Sequence, residues 1–338
     1  MSVGKSAERR NGALSRRGFL TAAAAAPVLG APLLGPGALS AASFGAPVSG
    51  QNAGWSRFQL GAFEITIVSD GNLTIPTDGL GANAPREAVT AFLAERFLDT
   101  ETLYSHTNHV VIDTGAARVL VDVGSGDKFQ TSAGRLVANL EAAQIDPASI
   151  THVALTHAHP DHVWGMMDDF GDDLRFAEAA YAINAAEFDW WMAEGRAEEV
   201  PAEMQGFVIG ATNALGPIAE RASMVADGAE IVSGVRMIAT HGHTLGHMSV
   251  LVESEGEALL VAGDALNHAY VAFERPDWHT GFDMDKEQAV ATRKRLLDMA
   301  ATDRIAVAAY HFPFPGVGHV ARSGEAYRFI PAQWRWGG

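Results

Sequence analysis

The sequence predicts a single α/β domain, and three observations carry that expectation. β-rich runs alternate with helical stretches from about residue 58 onward. No repeat, low-complexity segment or second boundary interrupts them. The 338 residues, 48% of them hydrophobic, also suffice for one large buried core. In order, Phe58 to Ser69 alternates apolar and polar residues with Phe63, Ile65 and Ile67 on one face, the period of a strand. Val110 to Asp113 and Arg118 to Val123 read as a hairpin around Thr114-Gly115-Ala116-Ala117. Leu136, Leu140 and Ala143, with Val137 beside them, form a helical stripe ending at Asp146-Pro147. A strand follows over Ile150 to Thr156, then helices over Ala185 to Ala193 and Pro201 to Arg221. Further strands fall at Val235 to Ala239, Met248 to Val252 and Ala258 to Ala262. Asp285 with Gln288 three residues on reads as a capping box for a helix that turns Ala289, Leu296 and Ala300 inward.

Composition excludes several partners and chemistries. With 24 Lys plus Arg against 40 Asp plus Glu, the net charge is −16, which opposes nucleic acid or an anionic membrane as main partner. There is no cysteine, so disulfides, thiolate metal sites and cysteine nucleophiles are excluded, and metal chemistry must run on His, Asp and Glu. The segment Ser15-Arg16-Arg17-Gly18-Phe19-Leu20, followed by an uncharged Ala/Gly/Leu/Pro stretch to Phe44, resembles a twin-arginine export signal. Pro27, Pro32 and Pro36 make that stretch a poor transmembrane span, so no stable membrane association is expected. The expected organisation is a signal over residues 1–42, a linker over 43–57 and the α/β domain over 58–338. The expected partner of the leader is the twin-arginine machinery, and the expected location is the periplasm or the medium. Without the five cations and one acid of the leader, the remainder carries 19 Lys plus Arg against 39 Asp plus Glu, a net −20.

The segment Thr156-His157-Ala158-His159-Pro160-Asp161-His162 places three His and one Asp at the end of an apolar strand. With 13 His in the chain, an accidental pattern of this kind arises on the order of once in a thousand such sequences. His157 and His159 project the same way from extended backbone and can grip one cation, while Asp161 and His162, past Pro160, address a second position.

This motif resembles the signature of the metallo-β-lactamase superfamily, and the remaining elements appear in that family's order. The resemblance implies a four-layer αββα sandwich with its metal site at one edge of the two sheets. It implies that Asp122 braces the metal loop, that His243 joins His157 and His159 at one metal, and that His311 joins Asp161 and His162 at the other. Asp264 would bridge the two. The tail from His311 to His319 and Gly324 to Pro331, the phrase Leu60-Gly61-Ala62-Phe63-Glu64 and the intervals between His243, Asp264 and His311 are similar to the methyl parathion hydrolase group. That group hydrolyses neutral organophosphate triesters, and its relatives open lactones or cleave aryl esters. Trp164, His109, Asn267 and His268 depart from its pattern and bear on the substrate rather than the metals.

The seven ligands leave room for a metal-bridging hydroxide, so the expected activity is cleavage of a small neutral ester: a lactone, an aryl ester or an organophosphate triester. Asp264 and Asp161 are the expected catalytic carboxylates, with Asp264 as a proton shuttle. Two divalent ions are implied, zinc by the resemblance, although His and Asp also accept Mn, Fe or Co. His247 and His268 are expected to orient ligands. Trp164, Trp190, Trp191, Phe273 and Phe312, with Trp278 and Phe314, flank the ligand loops and are expected to line an apolar pocket. Arg275 is the cation nearest those loops in sequence, which favours a neutral substrate. A homodimer is compatible with the sequence. Of the alternatives, a β-lactamase is disfavoured by the complete Asp161, His162 and His311 set together with the absence of Cys. A diiron oxidoreductase would carry Glu in the first motif, where Ala158 stands, and a flavin partner. A nuclease is opposed by the charge and the leader; a non-catalytic metal-binding protein would show bound metal without turnover.

Overall fold

A computed structural model describes Met1 and residues 53–333, apart from 169 and 172. The proposed signal at 1–42 and most of the linker lie outside the described residues. The chain from Ser49 onward forms one compact unit. Its first sheet runs in chain order: β1 (Trp55–Leu60), β2 (Phe63–Pro76), β3 (Thr102–Asp113), β4 (Arg118–Val121), β5 (His152–Ala154), β6 (Ala180–Asn184) and β7 (Ser223–Val225). The second sheet is built from β8 (Glu230–Val232), β9 (Val235–Ala239), β10 (Met248–Ser254), β11 (Glu257–Val261), β12 (Ala306–Ala308), β13 (Val317–Ser323) and β14 (Ala326–Pro331), again in chain order across the sheet. The helices are α1 (Arg86–Ala94), α2 (Leu136–Ala142), α3 (Pro160–Val163), α4 (Ala185–Met192), α5 (Arg196–Glu199), α6 (Ala202–Leu215), α7 (Val271–Glu274) and α8 (Lys286–Asp303).

Strand alternation produces the four layers. In β4, Val119 and Val121 point inward to meet Met237, Val250 and Leu259 of the second sheet, while Leu120 points outward to Leu136, Leu140 and Leu215 of the helices. In β11, Leu259 and Val261 face the first sheet, and Leu260 faces Leu296, Leu297 and Ala300 of α8. The result is helices, sheet, sheet, helices: the αββα sandwich.

Several boundaries differ from the sequence reading for local reasons. The run from Phe58 to Ser69 is two strands, because Gly61 adopts φ +55 and lets the chain turn tightly against Ser254. β2 then continues past Ser69 to Pro76 through a bulge between Ser69 and Gly71, although Asp70-Gly71-Asn72 has turn composition. The helix from Pro201 ends at Leu215, where Pro217 stops it in a 3₁₀ turn. Asp285 caps α8 by accepting from Gln288 N at 3.0 Å, but the Gln288 side chain bonds Thr292 instead of returning, so only half of the capping box forms. No helix among the described residues is long and apolar enough to cross a membrane.

Candidate metal centre

All seven proposed ligands lie on segments that follow strand ends. His157 and His159 follow β5, Asp161 and His162 lie in α3, and His243, Asp264 and His311 follow β9, β11 and β12. β4 and β5 are parallel, as are β11 and β12, so these carboxyl-end loops meet at one edge of the sandwich. His157 Nε2 lies 3.0 Å from His159 Nδ1, which lies 2.9 Å from His243 Nε2. His162 Nε2 stands 3.5 Å from Asp161 Oδ2, and His311 Nε2 stands 3.5 Å from the same oxygen. Asp264 reaches both groups: Oδ1 is 3.3 Å from His162 Nε2, and Oδ2 is 3.1 Å from His311 Nε2 and 3.4 Å from His243 Nε2.

Lone pairs that converge at such distances repel unless a proton or a cation lies among them. Three of these atoms, Asp161 Oδ2, His162 Nε2 and Asp264 Oδ1, are buried without a hydrogen-bond partner. A buried polar atom left so costs about 1 to 3 kcal/mol, a penalty that ligation removes. The residues therefore fit divalent cations. Protonation of the metal-free cluster divides the histidines into two groups. Burial, then the neighbouring imidazoles, hold His157 and His159 well below the ordinary range, so both are neutral donors at neutral pH. Burial would also lower His162 and His311, but the carboxylates of Asp161 and Asp264 outweigh it and raise both.

The nitrogens facing away from the cluster are anchored by the protein. Asp122 Oδ2 lies 2.8 Å from His162 Nδ1 and accepts from Thr156 Oγ1, while its Oδ1 accepts from Thr156 N at 2.7 Å. Asp122 holds φ +59, a left-handed conformation those bonds maintain. His311 Nδ1 lies 2.8 Å from the His106 carbonyl, and His243 Nδ1 lies 3.0 Å from Asp283 Oδ1. His247 accepts from Asp264 N at 3.1 Å and is fixed in turn by Thr240, so it orients Asp264 through its backbone. Among the described residues His268 hydrogen-bonds no ligand side chain; its Nδ1 accepts from Tyr270 N and Val271 N at the start of α7, and burial, then the neighbouring His311, lowers it to about 4.

Three functional neighbours escape a sequence reading. Glu187, in the first turn of α4, is buried and accepts four hydrogen bonds: from Ala158 N and Trp191 Nε1 on one oxygen, from Thr244 Oγ1 and Gly246 N on the other. It thus ties the His157–His162 loop to the His243 loop, and Gly246 is needed because a Cβ there would stand 2.2 Å from Glu187 N. Asp283 is the second. Tyr310 is the third: its hydroxyl donates to the Asp161 carbonyl at 2.7 Å and lies 2.9 Å from His109 Nε2, and its ring stacks on His162 with centroids 4.0 Å apart. Only the Asp283 and Glu187 carboxyls leave a trace in the sequence, as acids among apolar neighbours, and that trace names no partner.

Beside the cluster lies a cavity of about 210 Å³. Its apolar wall is Leu73, Ile75, Leu80, Leu103, Phe129, Phe207 and Phe282; Ser105, Gln130, Asn267 and Thr280 supply polarity, and His159, Asp161, His243, Asp264 and His311 form the floor. Among the described residues no Lys or Arg lines it, and Arg275 packs over Phe92 and Trp278 instead. The aromatic residues expected to line the pocket lie elsewhere. Phe273 and Phe312 are fully buried under the second sheet against Phe329. Trp191 is fully buried and bonded to Glu187, and Trp190 stacks on it from outside. Trp164 packs on Phe129 and Phe207 from behind, tight against Gly210; Trp278 packs on Phe92, and Phe314 on the inter-sheet core. Phe273→Leu should consequently lower stability by about 1 to 2 kcal/mol and leave KM unchanged, which a melting curve beside a saturation curve checks.

Fold and site together define a class: an αββα protein with a His- and Asp-lined metal centre at one sheet edge. The chain belongs to the metallo-β-lactamase superfamily, whose model matches residues 104–306. It is 29% identical over 164 residues to the lactamase-like protein nscB of Aspergillus fumigatus, a match spanning 48% of this chain and 39% of that one. Among solved structures it resembles the hydrolase AbOPH of the beta lactamase superfamily, at TM-score 0.78 and 28% identity over 85% of this chain and all of that one. It shares the fold of AidC, a dizinc quorum-quenching lactonase, at TM-score 0.78 and 24% identity over 83% of this chain and 98% of that one.

Proposed function

We propose that this metallo-β-lactamase-family enzyme is an exported dinuclear hydrolase of small neutral esters, with a lactone as the substrate class and aryl esters or organophosphate triesters as further substrates. One observation carries the reading: five of the seven proposed ligands form the floor of an apolar cavity that, among the described residues, no cationic side chain lines. When bound, two divalent ions supply Lewis acidity and activate water at neutral pH. His157, His159 and His243 would hold one, Asp161, His162 and His311 the other, and Asp264 would contact both. Zinc is the ion we propose, in keeping with the dizinc centre of AidC.

The chain's own groups complete the chemistry. The wall from Leu73 to Phe282 takes the apolar part of the substrate and excludes water, and Phe282, about half exposed, stands at the mouth. Asp264 stands between the two ligand sets, placed to take a proton at a carboxylate oxygen and pass it to the leaving group. A substrate carrying its own carboxylate or phosphate monoanion would find no Arg or Lys partner, which disfavours β-lactams as well as phosphomonoesters. Export rests on the leader at residues 1–42.

The test is a panel of a neutral lactone, an aryl acetate, a phosphotriester, nitrocefin and a phosphomonoester with the zinc-loaded protein. The neutral substrates should be turned over with the highest kcat/KM, the lactone first. Faster hydrolysis of nitrocefin or of the monoester would overturn the substrate assignment.

A further inference from the structure

The loop from 276 to 285 serves the cavity and the metal cluster at once. Thr280 and Phe282 line the cavity; the next residue, Asp283, is fully buried and holds His243 through Nδ1. Met284 N and Asp285 N then bond the carbonyls of His243 and Gly242, both at 2.9 Å. A loop carrying a buried carboxylate needs a counterion, and α8 provides it. Arg293, 1% exposed, donates through Nη2 to Asp283 Oδ2 at 3.2 Å and through Nη1 to the carbonyls of Pro276 and Trp278 at 3.0 and 2.9 Å. One guanidinium thereby fixes both ends of the loop.

We infer that Arg293 is a positioning residue that joins the cavity wall to the ligand His243 and sets, through Asp283, the affinity of one of the two metal positions. Its planar fork spans Asp283 and two carbonyls, which a lysine ammonium does not. The partner of His162, Asp122, is held by the hydroxyl and amide of Thr156, and among the described residues no guanidinium hydrogen-bonds it. The Arg293 effect therefore falls on the His157, His159 and His243 position alone. The inference rests on the metal-centre reading.

The experiment is a cobalt(II) titration of the metal-free full chain, followed by visible absorption, for the wild type, Arg293→Lys, Arg293→Met, Asp283→Asn and Asp283→Asn/Arg293→Met. One of the two binding steps should weaken by about 10- to 100-fold in the Arg293 variants while the other keeps its wild-type affinity and spectrum. The double variant should match Asp283→Asn alone, because Arg293 acts through Asp283. If Arg293→Met does not fold, Arg293→Lys carries the test. Unchanged affinity at both steps, or an equal loss at both with a lowered melting temperature, would overturn the inference. Absence of cobalt binding by the wild type would instead overturn the metal-centre reading itself.

Discussion

Asp264→Ala should lose at least about 10³-fold in kcat/KM, or about 4 kcal/mol of transition-state stabilisation. The size follows from position: among the described residues Asp264 is the one carboxylate whose oxygens approach His243, His162 and His311 together. Its removal leaves both ligand sets short of an anion, so the variant should also bind less than the wild-type complement of metal. Stability responds as well, because in the metal-free protein the truncation removes the anion that balances the surrounding imidazoles. The buried imidazoles around it hold Asp264 well below the usual carboxylate range, against the upward push of burial. Metal content and rate should therefore fall, and the metal-free melting temperature should fall as well, because the ionised carboxylate stabilises the fold at neutral pH. Asp264→Asn separates ligation from proton transfer: if it retains residual activity with an unaltered pH–rate profile, Asp264 is not the proton shuttle.

The second large effect is expected at Glu187. Glu187→Leu would orphan donors from Ala158, Trp191, Thr244 and Gly246 in the interior. The cost should be on the order of 3 kcal/mol or more, a fall of about 5 to 10 °C in melting temperature. Glu187→Gln is a sharper probe. An amide offers one oxygen, so its NH2 would face either Ala158 N and Trp191 Nε1 or Thr244 Oγ1 and Gly246 N. Since these two sets belong to different sides of the clamp, the two ligand loops should loosen relative to each other. Loss of metal affinity in Glu187→Gln, with near-native secondary structure by circular dichroism, is the expected result; wild-type affinity in a folded variant would show that the loops are held without it.

How much of this was legible in the sequence depends on how local the information is. His157, His159, Asp161 and His162 lie within six positions of one another, and their spacing alone implies a metal. His243, Asp264 and His311 are legible only through resemblance, because the topology that gathers them spans the whole second sheet. Asp283, Glu187 and Arg293 are ordinary residues whose roles come from tertiary contacts, the first 40 residues from the histidine it holds. The pocket aromatics show the opposite error. Phe312 follows His311 directly, yet the turn after β12 sends His311 to the cluster and Phe312 to the outer core. Proximity to a motif along the chain does not fix a face. The residues that do form the wall, Leu73 and Ile75, lie on a stretch of β2 hidden behind the turn-like Asp70-Gly71-Asn72, which the structure absorbs as a bulge.

The central claim is that the ligands at the cavity floor hold two divalent ions on which hydrolysis depends. Elemental analysis of the purified full chain, paired with lactone hydrolysis before chelation, after chelation and after zinc is restored, tests it most directly. The account predicts two equivalents of metal per chain, loss of turnover with their removal and recovery only as the second equivalent returns. Fewer than one equivalent in the active protein, or undiminished turnover after complete removal, would contradict it.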